Sequence, residues 1–214
     1  MNNEKTIRPS DLPPKFLRVK KVMVDGFDGG ATRAFEYLDR TDSVGVLVYH
    51  KDKELFTWVK QFRIGQATKD SGSGINYTIE PVAGMVDPGQ TPDEAAARET
   101  FEEVGVQASS LAKIGSFLMC SGISNERMHL YFAEVEGQAL NARGGLIEEH
   151  EDIDVLHWTA QETHEAFARG ELSNAQSMLV WQWACLHKPE LTRGIGSPTI
   201  ADANAPAGAA FNLG

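Results

Sequence analysis

Three glutamates, Glu99, Glu102 and Glu103, stand within five residues of one another, and a single base, Arg98, precedes them. If that stretch is helical, side chains three and four residues apart meet on one face. Like charges so placed destabilise a helix unless something cationic sits among them. A divalent metal with oxygen ligands would resolve the conflict. The plain alternative is a solvated helix face held by an Arg98–Glu102 ion pair, worth only about 0.2–0.5 kcal/mol. A second acidic run, Glu148, Glu149, Glu151 and Asp152, follows later in the chain. A carboxylate from such a loop could accept a proton from an attacking water, or the run could be a solvated charge cluster.

The elements that must position these groups can be read from their punctuation. Thr91 and Glu94 have the spacing of a capping box, Pro92 suits the first helical position, and Gly105 suits the residue just past the end. The acids therefore lie on a helix over 92–104, entered from the turn Asp87-Pro88-Gly89. Strands are predicted at 16–25 and 32–40, joined as a hairpin, then at 43–50, 55–63 and 75–83, with a polar loop at 66–74. After the acidic helix, strands are predicted at 113–119, 127–136 and 153–159, with a glycine-bearing loop at 137–151. Helices at 160–169 and 175–187 close the pattern, and the segment after Pro189 is rich in Gly, Ala and Pro. On the last helix Leu179, Trp183 and Leu186 share a stripe expected to be core, with Trp181 off it and partly exposed.

Composition narrows the classes. The chain has 214 residues, 42% hydrophobic and 23% charged, as expected of one globular domain with a small extension. A net charge of −10 argues against nucleic acid as the main partner, since phosphate backbones are bound mostly by Lys and Arg. No apolar run reaches the roughly 18 residues of a membrane span, and the first residues lack the apolar core of a signal peptide. Two cysteines without metal spacing suit a reducing, cytoplasmic setting. None of the six histidines has convincing ligand spacing, and His129, His157 and His164 read as ordinary strand or helix residues.

The stretch 83–106 resembles the box of the Nudix hydrolase family. Gly84, Arg98, Glu99, Glu102, Glu103, Gly105 and Val106 fall in register, while Gln90 replaces the first glutamate and Thr100 an apolar residue. Beyond the box, Gln61-Phe62-Arg63, Glu80-Pro81-Val82-Ala83-Gly84, Asn125-Glu126-Arg127, the run 145–153 and Asn174-Ala175-Gln176-Ser177 are similar to the branch acting on ADP-ribose and nucleoside-diphosphate sugars. The resemblance implies an α/β fold, the Nudix α/β/α sandwich with a mixed sheet, plus a small N-terminal antiparallel sheet. It implies that Glu99 and Glu103 hold Mg2+ (Mn2+ as a possible substitute), with Glu102 close by, Arg98 orienting the glutamates and the Ala83 carbonyl a further ligand. By the same resemblance Glu149 is the candidate general base, with Glu102 as the alternative, and Glu151 a further metal contact. Arg63 matches a phosphate-binding arginine, and a planar guanidinium fork suits that task. Glu126 is a substrate-binding candidate, or half of a structural pair with Arg127. Phe27 and Phe35 are candidates for stacking on a base, though an aromatic at strand spacing is more often core.

The division expected is an arm and hairpin over 1–41, a catalytic domain over 42–188 and a tail over 189–214. In this branch the N-terminal sheet is commonly exchanged in a homodimer, and two strands alone are marginal in water. The activity expected is Mg2+-dependent hydrolysis of a nucleoside diphosphate linked to a sugar, ADP-ribose first. Members preferring ADP-ribose usually carry a Ser-Pro-Gly turn where this chain has Cys120-Ser121-Gly122. GDP-mannose or another sugar nucleotide is therefore the second expectation. A silent domain that binds a nucleotide sugar and regulates a partner is a third, disfavoured because all three glutamates remain.

Overall fold

A computed structural model describes residues 17–69, 77–108, 110–145, 153–193 and 195. The hairpin is β1 (Val19–Phe27) and β2 (Ala31–Leu38), an antiparallel pair forming a sheet of its own. Among the described residues the main sheet has eight strands. Its order is β7 (Ala112–Leu118), β8 (Arg127–Val135), β3 (Ser43–His50), β4 (Leu55–Phe62), β10 (Ile153–Trp158) and β9 (Arg143–Gly144), with β5 (Tyr77–Glu80) on β4 and β6 (Val82–Met85) on β3. β3 and β8 run parallel while the other neighbours are antiparallel, so the sheet is mixed.

β3 shows why three layers form. Every residue of it is buried, and its side chains alternate between faces as a strand requires. Val44, Val46 and Val48 join one core cluster with Ala95, Ala96 and Val104 of α2 (Pro92–Val104). Leu47 and Tyr49 join a second with Val180, Trp181 and Ala184 of α4 (Ala175–His187). The sheet is thus sandwiched between helices, with α3 (Ala160–Ala168) near β4 and β10.

One irregularity makes the site. β3 and β4 pair only between Val48–His50 and Leu55–Thr57. Beyond that they diverge, β6 taking the rest of the β3 edge and β5 the rest of the β4 edge. The single strand expected over 75–83 is therefore two, broken at Pro81, whose missing N–H cannot serve a ladder. The start of the loop expected at 66–74 is instead a short helix, α1 (Ile64–Lys69).

The face of α4 is the clearest correction. Trp181 is 1% exposed, whereas Leu179 is 42% and Leu186 77% exposed; of the expected stripe only Trp183 packs against the core, partly buried. The helix is apolar on more than one side, so hydrophobic spacing alone does not choose its face. Polar contacts mark the one that docks: Ser177 Oγ donates to the Ile79 carbonyl and Gln176 Nε2 to Glu80.

Candidate active site

α2 begins and ends as its sequence requires. Thr91 Oγ1 accepts from the Glu94 N–H while Glu94 accepts from the Thr91 N–H, and Gly105 closes the helix at φ 70°. Thr100 stands where the family has an apolar residue. It is fully buried, its hydroxyl satisfied by the Ala96 carbonyl at 2.7 Å. Gln90, in place of the box's first glutamate, bonds within the turn, its amide oxygen accepting from the Asp87 N–H at 3.4 Å.

The buried face of α2 carries two of the acids, Glu99 and Glu103. Arg98 Nη2 donates to Glu99 Oε1 at 2.8 Å and to the Met85 carbonyl at 3.0 Å, while Nη1 donates to Glu102 Oε2 at 2.6 Å. Burial alone would lower the Arg98 pKa, but the Glu102 hydrogen bond and the two carboxylate charges outweigh it and raise the value. One guanidinium thus holds two glutamates and the end of β6. Glu103 Oε2 accepts from the Ala83 N–H at 3.0 Å. At Gly84 a Cβ would lie 1.9 Å from the Glu99 carboxylate, so any side chain there would push that carboxylate out of its place.

These groups open onto a cleft of about 510 Å³ at the point where β3 and β4 diverge. Ala83, Arg98 and Glu99 line it, and Arg63 and Glu126 do so from other elements. Glu102 and Glu103 are not among the lining residues; Glu102 is tied to Arg98 and Glu103 to Ala83. Arg63 forms a forked ion pair with Glu80, at 3.1 Å from Nε and 2.7 Å from Nη2. Glu80 is 2% exposed and is also held by Thr78 and Gln176. Glu126 pairs not with Arg127 but with Ser43, at 2.8 Å, and Arg40, at 3.6 Å. Phe27 and Phe35 are on the hairpin, 5.5 Å apart, and do not line the cleft. Glu149 and Glu151 lie outside the described residues.

Arg40, Gln176 and the thioethers of Met85, Met119 and Met128 also line the cleft, with no site role legible beforehand. Arg40 follows the end of β2 as an isolated basic residue, and nothing in its spacing marks it. Gln176 does have a signal, as a polar residue on the buried face of an otherwise apolar helix.

Among the described residues, no three His, Cys, Asp or Glu side chains already converge to hold an ion. By donor type, however, Glu99, Glu102 and Glu103 suit a hard divalent cation, which takes carboxylate and carbonyl oxygens. The positive position between Glu99 and Glu102 is held by Arg98.

A glutamate-bearing helix, capped at both ends and docked on a split mixed sheet, defines a class. The model of the NUDIX domain matches residues 39–179, and the chain belongs to the Nudix family. Within it, the chain is 30% identical over 189 residues to the ADP-ribose pyrophosphatase of Haemophilus influenzae, covering 88% of this chain and 86% of that one. It is 29% identical to the ADP-ribose pyrophosphatase of Escherichia coli K12 over 73% of each chain. It is 30% identical to the GDP-mannose pyrophosphatase of an Enterobacter species, over 69% of this chain and 75% of the other. Nudix pyrophosphatases generally use divalent metal ions.

Proposed function

We propose that this protein hydrolyses the diphosphate linkage of a nucleoside diphosphate joined to a sugar, with ADP-ribose, cleaved to AMP and ribose 5-phosphate, as the leading substrate. The observation that carries this reading is a cleft lined both by the Glu99 carboxylate and by the guanidinium groups of Arg40, Arg63 and Arg98. Such a wall sets positive charge near phosphate oxygens and an oxygen ligand for a cation beside it. Glu99, Glu102, Glu103 and the Ala83 carbonyl would hold Mg2+, with Mn2+ as a substitute. A bound divalent ion neutralises diphosphate charge and eases deprotonation of water.

In the reaction, water oxygen bonds to one phosphorus as that phosphorus parts from the bridging oxygen, which leaves on the other phosphate. A carboxylate takes the water's proton, and we assign that task to Glu149, with Glu102 as the alternative and Glu151 as a further metal contact. A Glu149→Gln variant with undiminished kcat would remove Glu149 from the role. Arg98 holds Glu99 and Glu102 in place. Glu80 fixes the plane of the Arg63 guanidinium toward the cleft.

A second reading, GDP-mannose as the preferred substrate, is favoured by the GDP-mannose pyrophosphatase relatives and by Ser121 in the turn where ADP-ribose specialists usually carry proline. A panel of ADP-ribose, GDP-mannose and ADP-glucose, with and without Mg2+, decides by released phosphomonoester. The expected result is Mg2+-dependent release, fastest from ADP-ribose. Absence of release from every sugar nucleotide would overturn the enzyme reading in favour of a binding role.

A further inference from the structure

The C-terminal turn of α2 is held from behind by a chain of hydrogen bonds that begins in the sheet. Asn141 Nδ2 donates to the carbonyl of Val104, the last residue of the helix, at 2.9 Å. That carbonyl is among those a helix leaves unsatisfied at its end. The Asn141 carbonyl meets His157 Nε2 at 2.7 Å, His157 Nδ1 meets Thr57 Oγ1 at 3.0 Å, and Thr57 Oγ1 meets His50 Nε2 at 2.8 Å. A carbonyl can only accept, so a neutral His157 carries its proton on Nε2 and accepts at Nδ1 from Thr57. The single Thr57 proton is then used, so His50 must donate from Nε2. Its Nδ1 is left as a bare acceptor, and that atom is buried with no partner. Every member of the chain thus has one direction.

The contact at the helix is close. A Cβ on Gly105 would lie 2.3 Å from Asn141 Nδ2, and a Cβ on Gly144 would lie 1.5 Å from the Glu103 carbonyl. The segment 141–144 is pinned on its other side by β9 pairing with β10 and by the Val155 N–H donating to the Ala142 carbonyl at 3.1 Å. Glu103 is therefore held at its carboxylate by Ala83 and approached at its backbone carbonyl by Gly144, while Asn141 bonds the next carbonyl along.

We propose that Asn141, oriented by His157, is a positioning residue for the cation site: it sets where the last turn of α2 presents Glu102 and Glu103. Ligands fixed from behind lose little freedom on binding an ion, and disturbing such outer partners typically weakens metal affinity about 10–100-fold. The inference rests on the reading that these glutamates hold a divalent ion.

The test uses the full chain with Asn141→Ala, His157→Phe and His157→Gln. Gln can place an amide N–H near the position of His157 Nε2, whereas Phe keeps the ring and loses the bond. The thermal midpoint is followed against MgCl2 without substrate, and KM for ADP-ribose is measured at saturating Mg2+. Asn141→Ala and His157→Phe should raise the Mg2+ concentration for half-maximal stabilisation about tenfold, with KM held within about twofold, and His157→Gln should restore most of the Mg2+ response. A lowered midpoint with an unchanged Mg2+ half-point would make the chain merely structural and overturn the proposal. Equal defects in His157→Phe and His157→Gln would overturn it too. Should Asn141→Ala not fold, the His157 pair decides. No Mg2+ stabilisation of the unaltered protein would instead remove the metal reading underneath.

Discussion

At the scale of single residues, Arg98 explains how three acids coexist on one helix. Crowding of Glu99, Glu102 and Glu103 suggests a site that needs a cation, yet the structure already supplies one in a guanidinium bonded to both Glu99 and Glu102. Arg98 thereby spaces the Glu99 and Glu102 carboxylates on the helix. A lysine keeps the charge but is a point donor without the planar fork. Arg98→Lys should therefore leave the fold intact while lowering kcat/KM about 10–100-fold, with part of the loss recovered at high Mg2+. Steady-state kinetics across a Mg2+ series checks this, and full activity at low Mg2+ would show that the fork is dispensable.

At the scale of elements, the sheet is stitched by a buried histidine. His50 is fully buried, and burial first, then the neighbouring His157, lowers its pKa from 6.5 to about 4. The unfolded chain takes up a proton below 6.5 that the folded chain refuses, so stability is complete above that pH and declines as pH falls toward 4. The slope contributed approaches about 1.4 kcal/mol per pH unit. Asp52 opposes the shift and Lys53 adds to it, and both stay in place when His50 changes. His50→Gln should flatten the pH dependence of urea unfolding between pH 6.5 and 4.5, and an undiminished slope would place the titration elsewhere. None of this chain is legible in the sequence, because a hydrogen-bonded relay joins β3, β4, β10 and a loop only once the sheet is assembled. Local signals fared better. The caps of α2 and the bounds of β3 and α4 follow from turn chemistry and periodicity, which act within a few residues. The break at Pro81 has a local cause, the missing N–H, whereas the buried face of α4 depends on which neighbour each side meets, so a one-dimensional pattern cannot supply it.

At the scale of the whole molecule, the hairpin is the unexplained part. Its apolar residues face water, Val19 at 62% and Met23 at 63% exposed, and it joins the main body through contacts such as the Leu38 N–H to the Ile123 carbonyl. We propose that a second copy covers it, in a homodimer that exchanges the N-terminal sheet and brings Phe27 and Phe35 toward the partner's cleft. Deleting residues 1–41 should then give a monomeric, poorly active core by light scattering and turnover. A monomeric intact chain at micromolar concentration would end this reading.

The central claim is that the glutamates of α2 drive cation-dependent cleavage of a sugar nucleotide, and Glu103 is its sharpest probe. The residue is 1% exposed and bonded to the Ala83 N–H, so an amide of the same shape preserves packing while removing the charge. The measurement is phosphomonoester release from ADP-ribose at saturating Mg2+ by the unaltered chain and by Glu103→Gln. The account predicts one AMP and one ribose 5-phosphate per linkage from the former, and near-complete loss in the variant with its thermal midpoint retained. Equal turnover by the two proteins would contradict it.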